Sequence, residues 1–348
     1  MPSQPHLKLL IESRSTLTRE QSRELLQLIL TGGLSDIEIA ALASALAARG
    51  ETAAELAGFV DVMRAAVTSI PLNDAERLQL VDTCGTGGDG SRTFNISTAA
   101  ALVAAAAGAT VAKHGNRAIT SQTGSADVLE ALGIPVGHTP EAAANAIRKH
   151  RFAFLHAPSL HPAMKAVMPV RKALGVRTVF NLLGPLTNPA GASAQVMGVY
   201  SAAAVPLVAE AMALLKTRHA FVVHGTTEPD AEGTVRGLDE ISISGPTDIA
   251  EVHNGIVTLS TLTPEDVGLT RAPIETLAGG DARTNADILT AIFSGEPGPR
   301  RDIVLLNAAA VLVAADLAPD IPSGVQFAAR TLDSGAVTEL VSRISRNP

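Results

Sequence analysis

The chain has 348 residues, which suits one large domain beside a smaller one. Hydrophobic residues make up 46% and charged residues 18%, a balance typical of globular proteins and not of disordered chains. With a formal net charge of −7, no tryptophan and one tyrosine, the chain lacks the basic surface and stacking rings of a nucleic-acid-binding protein. We therefore expect no nucleic-acid partner.

The sequence also bears on the compartment. Cys84 is the only cysteine, which excludes an intramolecular disulfide and favours a reducing compartment. The first residues lack the basic and apolar segments of a signal peptide. The longest apolar run, residues 99–107, is shorter than the roughly 20 residues that cross a bilayer. We expect a cytoplasmic protein without a membrane partner.

The first 70 residues are predicted to form helices. Capping boxes mark their starts, because a hydroxyl can accept a bond from a free backbone N–H while a Glu or Gln side chain accepts one in return. These boxes pair Thr18 with Gln21, Ser35 with Glu38, and Thr52 with Glu55. Gly50 stands where the second of these helices should end.

Strand and helix signals alternate after residue 79. A buried strand is predicted at residues 80–82, an alanine-rich helix at 97–107 and a second strand at 110–112. Further strands are predicted at residues 152–155, 194–199, 221–223 and 241–243, and further helices at 202–215 and 303–314. This alternation indicates an α/β fold with a central, largely parallel sheet, in which ligands bind at the carboxyl ends of the strands.

A glycine-rich loop, residues 84–90, follows the first strand and precedes the alanine-rich helix. Glycines allow backbone N–H groups to approach an oxyanion, and the start of the helix adds a favourable dipole. Thr93 and residues 95–98 add three more hydroxyls and an amide at that helix start. A tight turn and a single N-cap would explain some of these residues but not all. Together they predict a cradle for a phosphate or diphosphate.

Three other segments carry candidate chemistry. Residues 113–117 and 121–125 combine cations, glycines and hydroxyls near a predicted strand end, which suits a phosphate group unless the patch is merely solvated. Asp239 and Glu240, placed in a loop before the strand predicted at 241–243, could hold Mg²⁺ through waters and substrate phosphates. Arg171 could bind a substrate carboxylate through two hydrogen bonds.

These blocks have the order and approximate spacing of the anthranilate phosphoribosyltransferases, which the chain resembles over essentially its whole length. No single block identifies the family, but the combination of Lys-His-Gly-Asn, the glycine loop and the Asp-Glu pair does. The matching blocks are residues 85–89, 95–98, 113–117, 124–132, 170–172, 181–189 and 239–240.

The resemblance implies a fold like that of the class II nucleoside phosphorylases. A helical domain, residues 1–75 with a contribution from about 165–195, would pack beside an α/β domain, residues 76–348, that binds phosphoribosyl diphosphate (PRPP). It also implies a homodimer through the helical domains and Mg²⁺ as cofactor. The implied activity joins the phosphoribosyl group of PRPP to anthranilate and releases diphosphate, which is the second step of tryptophan biosynthesis from chorismate.

The resemblance further implies the roles of individual residues. Anthranilate would contact Gly85, Asn116 and Arg171, and Mg²⁺ would be held by Ser97, Asp239 and Glu240. Whether His114 orients the amine of anthranilate is left open. The residues implied to hold PRPP are Gly85, Gly88, Asp89, Thr93, Asn95, Ile96, Ser97, Thr98, Lys113, His114, Gly115, Asn116, Arg117, Ala118, Ile119, Thr120, Ser121 and Ser125.

The sequence departs from the family pattern at one position and leaves two alternative functions open. Gln122 stands where the family's Ser-Ser-Lys-Ser loop has a lysine, which puts a phosphate contact at this position in doubt. A pyrimidine nucleoside phosphorylase of the same fold would cleave nucleosides with inorganic phosphate, but the Asp239-Glu240 pair and Arg171 favour the diphosphate substrate. A non-catalytic nucleic-acid-binding relative is opposed by the net charge and by the intact loops.

Overall fold

The structure is a computed structural model that describes residues 3–118, 122–230 and 232–346. Among these residues no helix combines the length and apolar character needed to cross a membrane. The chain begins with helices and continues into a sheet flanked by helices. The predicted fold class, a small N-terminal helical domain and a larger α/β domain, is confirmed.

The helices before and within the first half of the sheet are short to medium in length. They are α1 (Gln4–Leu7), α2 (Arg19–Leu30), α3 (Asp36–Arg49), α4 (Ala53–Ala66), α5 (Asp74–Leu78), α6 (Ile96–Ala106), α7 (Ser125–Ala131) and α8 (Pro140–His150). A π-helical turn, Lys8–Glu12, extends α1.

The later helices connect and cover the second half of the sheet. They are α9 (Ala157–Leu160), α10 (Met168–Leu174), α11 (Phe180–Leu183), α12 (Ala204–Leu214), α13 (Ala282–Phe293), α14 (Pro299–Ala314), α15 (Ile321–Asp333) and α16 (Ala336–Arg346). Short 3₁₀ turns occupy Pro162–Ala166, Pro264–Val267 and Ile274–Leu277.

Eight strands of the described residues form one twisted sheet in the order β3-β2-β1-β4-β5-β7-β8, with β6 also paired to β5. The first five strands are parallel, and β6, β7 and β8 are antiparallel additions at one side. The strands are β1 (Leu80–Gly85), β2 (Thr110–Gly115), β3 (Phe152–His156), β4 (Ala194–Gly198), β5 (His219–Thr226), β6 (Gly237–Leu238), β7 (Thr247–His253) and β8 (Ile256–Leu262).

The three predicted capping boxes are confirmed at the starts of α2, α3 and α4. In each box the hydroxyl accepts a bond from the third helical N–H, and that residue's side chain accepts one from the cap. Gly50 ends α3 with a φ of 89°, a left-handed conformation that favours glycine. Local sequence therefore determines where these helices begin and where α3 ends.

Some predicted elements are wrong in extent or kind. Strand β1 continues beyond residue 82 to Gly85, and β2 continues to Gly115, so Lys113 lies inside a strand and not beyond its end. The strand predicted at residues 241–243 is absent. There the Asn307 side chain of α14 bonds both the N–H and the carbonyl of Ile241, at 2.9 Å each, so these backbone groups are satisfied without a neighbouring strand.

The two faces of the sheet pack on different cores. Along β4, Val196 joins the core formed with α6 and the C-terminal helices, whereas Met197 joins the core that contains α12 and the helical domain. Val170 and Phe180, from the segment between β3 and β4, also lie in this second core. Residues of this middle segment therefore share a core with the N-terminal helices.

A buried carboxylate ties the start of α4 to the preceding chain. Glu55 is 0% exposed, and its Oε1 accepts a hydrogen bond from the Leu17 N–H at 2.7 Å. Its Oε2 accepts bonds from the Thr52 N–H at 2.8 Å and from the Arg49 guanidinium at 2.5 Å. A charge enclosed in this way is stable only while its partners remain.

We predict that Glu55→Ala lowers the free energy of unfolding by about 3–5 kcal/mol, because it leaves the Nη2 group of Arg49 and the Leu17 N–H without their acceptor. Glu38→Ala is the matched control, since Glu38 holds the same position in the more exposed capping box of α3. Urea unfolding of both variants measures the difference. Equal losses would show that Glu55 acts only as a helix cap.

Candidate active site

A short segment, residues 237–240, crosses the carboxyl ends of neighbouring parallel strands, and we call it the crossing segment. It lies against Gly85 of β1 and Gly198 of β4, which are register partners. A Cβ added to Gly198 would be 1.6 Å from the backbone oxygen of Asp239, and one added to Gly85 would be 2.2 Å from Asp239 Oδ2. Only glycine at both positions allows the crossing segment to lie so close.

The third strand beneath the crossing segment is β5. A Cβ on Gly225 would be 2.4 Å from the backbone oxygen of Glu240, and Gly225 itself pairs with Leu238 of β6. The Glu240 side chain reaches the start of α6, where its Oε1 accepts a hydrogen bond from the Ser97 N–H at 3.0 Å. The crossing segment thus connects β5 to the helix predicted to hold phosphate.

Asp239 connects the crossing segment to the glycine loop. Its Oδ2 accepts a hydrogen bond from the Gly87 N–H at 2.7 Å, and its backbone N–H donates to Asp89 Oδ2 at 3.3 Å. Asp89 also accepts a bond from the Ser91 N–H at 3.1 Å. Asp239 and Glu240 lie in a loop that is not followed by the strand predicted at 241–243, and both are partly enclosed against glycine-containing strands.

Three carboxylates converge at this edge of the sheet. Burial and the neighbouring charge of Asp89 raise the pKa of Asp239 above its ordinary value. Burial and the charge of Asp239 likewise raise the pKa of Glu240. Carboxylate oxygens in this arrangement repel one another, and they are the ligands that a hard divalent cation prefers. The residues therefore fit Mg²⁺.

Lys113 lies beside these carboxylates and is only 1% exposed. Its Nζ donates hydrogen bonds to the Thr83 carbonyl at 2.7 Å and to Ser97 Oγ at 3.2 Å. Burial lowers the pKa of Lys113, and the nearby acidic groups oppose that shift. An ammonium group has three donors, so one remains beyond these two protein bonds.

His114, the next residue of β2, is enclosed and not exposed at a loop. Its Nε2 lies 3.1 Å from Nε2 of His161, and its backbone N–H donates to buried Asp82 at 3.0 Å. Burial lowers the pKa of His114 to about 3 and that of His161 to about 4. Both imidazoles are therefore neutral near pH 7, and the N–H of one ring donates a hydrogen bond to the bare nitrogen of the other.

The start of α6 is held by amide and hydroxyl contacts. Asn95 donates from Nδ2 to the Thr123 carbonyl at 3.2 Å and accepts at Oδ1 from Asn285 at 2.9 Å. Thr98 donates to Ser125 Oγ at 3.1 Å. These contacts join the helix start to the loop after β2, so both predicted phosphate-binding segments lie side by side.

The remaining predicted residues line the same loops. Gly88 and Asp89 belong to the glycine loop, whereas Ile96 is buried in the first turn of α6. Thr93 forms an isolated β-bridge with Ala278. Gly115 ends β2, packed against the Phe154 ring and Ser125, and Asn116 and Ala118 follow it. Ile119, Thr120 and Ser121 lie outside the described residues.

Arg117 already has carboxylate partners. Its guanidinium forms two hydrogen bonds with Glu130, at 2.6 and 2.7 Å, and one with Asp127 at 3.0 Å. Asp127 also accepts bonds from the Ala118 and Gly124 N–H groups, at 3.0 and 2.9 Å. A phosphate that binds Arg117 must therefore compete with acidic residues of α7.

The segment after β3 carries two arginines of interest, of which Arg177 contacts the glycine loop. Arg171 of α10 is half-buried, burial lowers its pKa, and it forms no ion pair within the described ranges. Arg177 donates a hydrogen bond to the Gly88 carbonyl, and its guanidinium lies 4.5 Å from the centroid of the Tyr200 ring. A partly desolvated, unpaired guanidinium such as Arg171 is suited to a carboxylate ligand.

Sequence reasoning missed several of these positions. Gly198, Gly225 and Arg177 were assigned no role, although glycines at the ends of predicted strands are a signal of close backbone approach. The buried hydroxyls of Thr86 and Thr178 have no hydrogen-bond partner in the described structure. Unpaired buried polar atoms beside a glycine loop are consistent with a ligand that completes their bonding.

Comparisons with known proteins agree over nearly the whole chain. The helical bundle domain of the glycosyl transferase family matches residues 4–67, and the a/b domain of the same family matches residues 77–338. The anthranilate phosphoribosyltransferase of Symbiobacterium thermophilum is 51% identical over 94% of this chain and 93% of the relative. The enzyme of that name from Thermus thermophilus has a crystal structure that matches with a TM-score of 0.88 and 43% identity, over 99% of both chains.

More distant solved structures bear ligands. The anthranilate phosphoribosyltransferase of Saccharomyces cerevisiae in complex with PRPP and Mg matches with a TM-score of 0.85 and 27% identity, over 99% of this chain and 97% of that chain. The same yeast enzyme in complex with 4-fluoroanthranilate matches with a TM-score of 0.83 and 25% identity, over 99% and 97%. On the fold, the site and these matches, the chain belongs to the anthranilate phosphoribosyltransferases of the glycosyl transferase family.

Proposed function

We propose that the site at the carboxyl edge of the sheet carries out the reaction of this family on PRPP and anthranilate. The products are N-(5-phosphoribosyl)anthranilate and diphosphate. The observation that carries the proposal is the convergence of the glycine loop, the start of α6, Lys113 and the crossing segment, joined by the hydrogen bonds of Asp239 and Glu240.

The diphosphate of PRPP fits the positively polarised part of this site. Lys113 is fixed between Thr83 and Ser97, so its third N–H can reach a substrate oxygen without further ordering. The Gly87 and Ser97 N–H groups already donate to Asp239 and Glu240, so further donors to the diphosphate would come from the other N–H groups of the glycine loop. Donors that are already oriented stabilise the negative charge that builds on the leaving diphosphate.

The carboxylates at the crossing segment fit a metal. We assign the Mg²⁺ ligands to Ser97, Asp239 and Glu240, of which Ser97 and Glu240 are joined by a hydrogen bond. When bound, Mg²⁺ neutralises charge on the departing diphosphate. Without a cation, the ionised carboxylates would repel that anion, and their raised pKa values show that the enclosed site disfavours their charged forms.

Anthranilate offers a carboxylate and a weakly basic aromatic amine. The unpaired, half-buried Arg171 can bind the carboxylate through two parallel bonds, while Gly85 and Asn116 remain the other predicted contacts. As diphosphate leaves, positive charge builds on the anomeric carbon and the amine attacks it. Since the neutral amine already carries its lone pair, correct positioning is required more than a strong general base.

The roles of His114, Arg117 and the other predicted PRPP contacts stay predictions. His114 contacts His161 and the Gly184 carbonyl, so an orienting role toward the amine would require one of these contacts to change. Arg117 would exchange its acidic partners for a phosphate. The remaining predicted PRPP contacts are Gly85, Gly88, Asp89, Thr93, Asn95, Ile96, Thr98, Gly115, Asn116, Ala118, Ile119, Thr120, Ser121 and Ser125.

The homodimer through the helical domains is also a proposal. The π-helical turn, α3 and α10 pack together, and they expose Ile11, Ile37 and Met168. Light scattering should therefore give about twice the mass of the 35.7 kDa chain. A cytoplasmic location is likewise proposed, and the buried, free thiol of Cys84 is consistent with a reducing compartment.

The direct test mixes purified protein with Mg²⁺, PRPP and anthranilate and follows the loss of anthranilate fluorescence. Omission of either substrate should abolish the signal change. Release of base from uridine or thymidine by phosphate, without Mg²⁺, would instead support the nucleoside phosphorylase alternative.

We predict that Arg171→Ala raises KM for anthranilate by about 10- to 100-fold, because it removes charge-assisted hydrogen bonds to the carboxylate. KM for PRPP should change little. Lys172→Ala, at the exposed next position of α10, is the matched control and should behave like the wild type. Parallel increases in both KM values would point to a structural role for Arg171.

We predict that combining Asp239→Asn with Glu240→Gln reduces turnover at least about 100-fold or demands much more Mg²⁺. The melting temperature without metal should stay equal or rise, since the amides place no charge in the enclosed site. Anthranilate binding alone should be nearly unchanged. Glu232→Gln, an exposed residue just before the crossing segment, serves as the control. Normal turnover with an unchanged Mg²⁺ requirement would remove the metal assignment.

A further inference from the structure

Two histidines and a glutamate meet at the opposite edge of the sheet from the crossing segment. His219 begins β5 and pairs directly with His253, the last residue of β7. Glu251 precedes His253 by two residues and therefore points to the same face of β7. Directly opposite residues of antiparallel strands also share a face. The backbone thus projects all three side chains from one place.

These side chains are close enough to share one ion. Their potential ligand atoms all lie within 4.8 Å of one another, and within the described ranges no other trio of His, Cys, Asp or Glu meets this criterion. The two imidazole rings stack with centroids 4.4 Å apart and planes inclined by 20°. A four-coordinate Zn²⁺ places neighbouring ligand atoms about 3–3.5 Å apart, so small side-chain shifts suffice.

A proton or a metal ion must lie between the facing atoms of His219 and Glu251, and a neutral His219 can supply that proton as an N–H. His219 Nε2 and Glu251 Oε1 are 2.8 Å apart, and each atom directs a lone pair at the other unless a proton or a metal ion lies between them. A cation in this position would also accept a lone pair from His253. The trio therefore has the donors and the spacing of a metal site, not only those of an ion pair.

A further carboxylate orients the buried histidine. Asp316 Oδ1 lies 3.4 Å from His219 Nδ1, on the side of the ring away from Glu251. Arg218 forms an ion pair with Asp316 and donates to the Ala314 carbonyl at 3.0 Å, which fixes Asp316 at the end of α14. A carboxylate that accepts from Nδ1 leaves the Nε2 lone pair for a metal, the usual support of a ligating histidine.

We propose that His219, Glu251 and His253 bind a divalent first-row transition metal with the chemistry of Zn²⁺, and that Asp316 is the positioning residue. Two imidazoles and one carboxylate favour Zn²⁺ over Mg²⁺ or Ca²⁺, which prefer oxygen ligands. His219 is buried and His253 exposed, so a fourth position faces solvent and takes water. The ion joins β5, β7 and the end of α14 and takes no part in phosphoribosyl transfer.

The test titrates the metal-stripped full-length chain with Zn²⁺ in a calorimeter, with saturating Mg²⁺ present to occupy oxygen-rich sites. The wild type should bind one Zn²⁺ per chain, and Zn²⁺ should raise its melting temperature. His253→Asn and Glu251→Gln should weaken this binding at least about tenfold, and Asp316→Asn about 10- to 100-fold. His138→Asn, outside the cluster, is the matched control and should bind like the wild type.

Two further readouts separate this site from the transferase site. Co²⁺ in place of Zn²⁺ should give the strong visible absorption of a four-coordinate ion in the wild type but not in His253→Asn. Transferase turnover of His253→Asn with Mg²⁺ should equal that of the wild type. Absence of Zn²⁺ binding in the wild type, or equal affinity in the wild type, His253→Asn and Glu251→Gln, would overturn the proposal and leave the trio as hydrogen-bonded side chains.

Discussion

The close contact between the crossing segment and the sheet is the constraint on which the site depends. The backbone of Asp239 and Glu240 can lie on β1, β4 and β5 only because Gly85, Gly198 and Gly225 have no Cβ there. This contact brings carboxylates to the strand ends and encloses them, which disfavours their charged forms. A bound cation would offset that cost, so this geometry suits the Mg²⁺ that we propose for the site.

Hydrogen bonds to neighbouring residues orient the converging side chains before substrate binds. Lys113 is held by a backbone carbonyl and by Ser97, which belongs to the helix start that Glu240 also contacts. The neutral pair of His114 and His161 fills the adjacent interior without adding charge. Because these groups are already ordered, little reorganisation is needed as charge builds on the diphosphate.

The two edges of the sheet present different metal chemistry. The carboxyl edge offers oxygen donors beside a glycine loop, which suits Mg²⁺ and phosphate together. The amino edge of β5 offers imidazoles from His219 and His253 with Glu251, which suits a softer ion held by the protein alone. The antiparallel strands after β5 make the second arrangement possible, since they return His253 to a position opposite His219.

The sequence by itself determined the features that depend on neighbouring residues. The capping boxes at Thr18, Ser35 and Thr52 are encoded within four positions, and the parallel strands show as short apolar runs between helices. The order of the glycine loop, the α6 start and the Asp-Glu pair was enough to indicate the family. Strand β8 was missed because Thr258, Ser260 and Thr261 interrupt its apolar residues, so no continuous apolar run marks it. Tertiary structure alone decided the features that depend on distant partners. Residues 241–243 do not form a strand, and Asn307, more than sixty positions away, satisfies the Ile241 backbone instead. Arg117 pairs with Glu130 and Asp127, which its own segment does not reveal. The sequence pattern records periodicity and caps, but burial, charge pairing and the glycine contacts beneath Asp239 arise only when separate segments pack together.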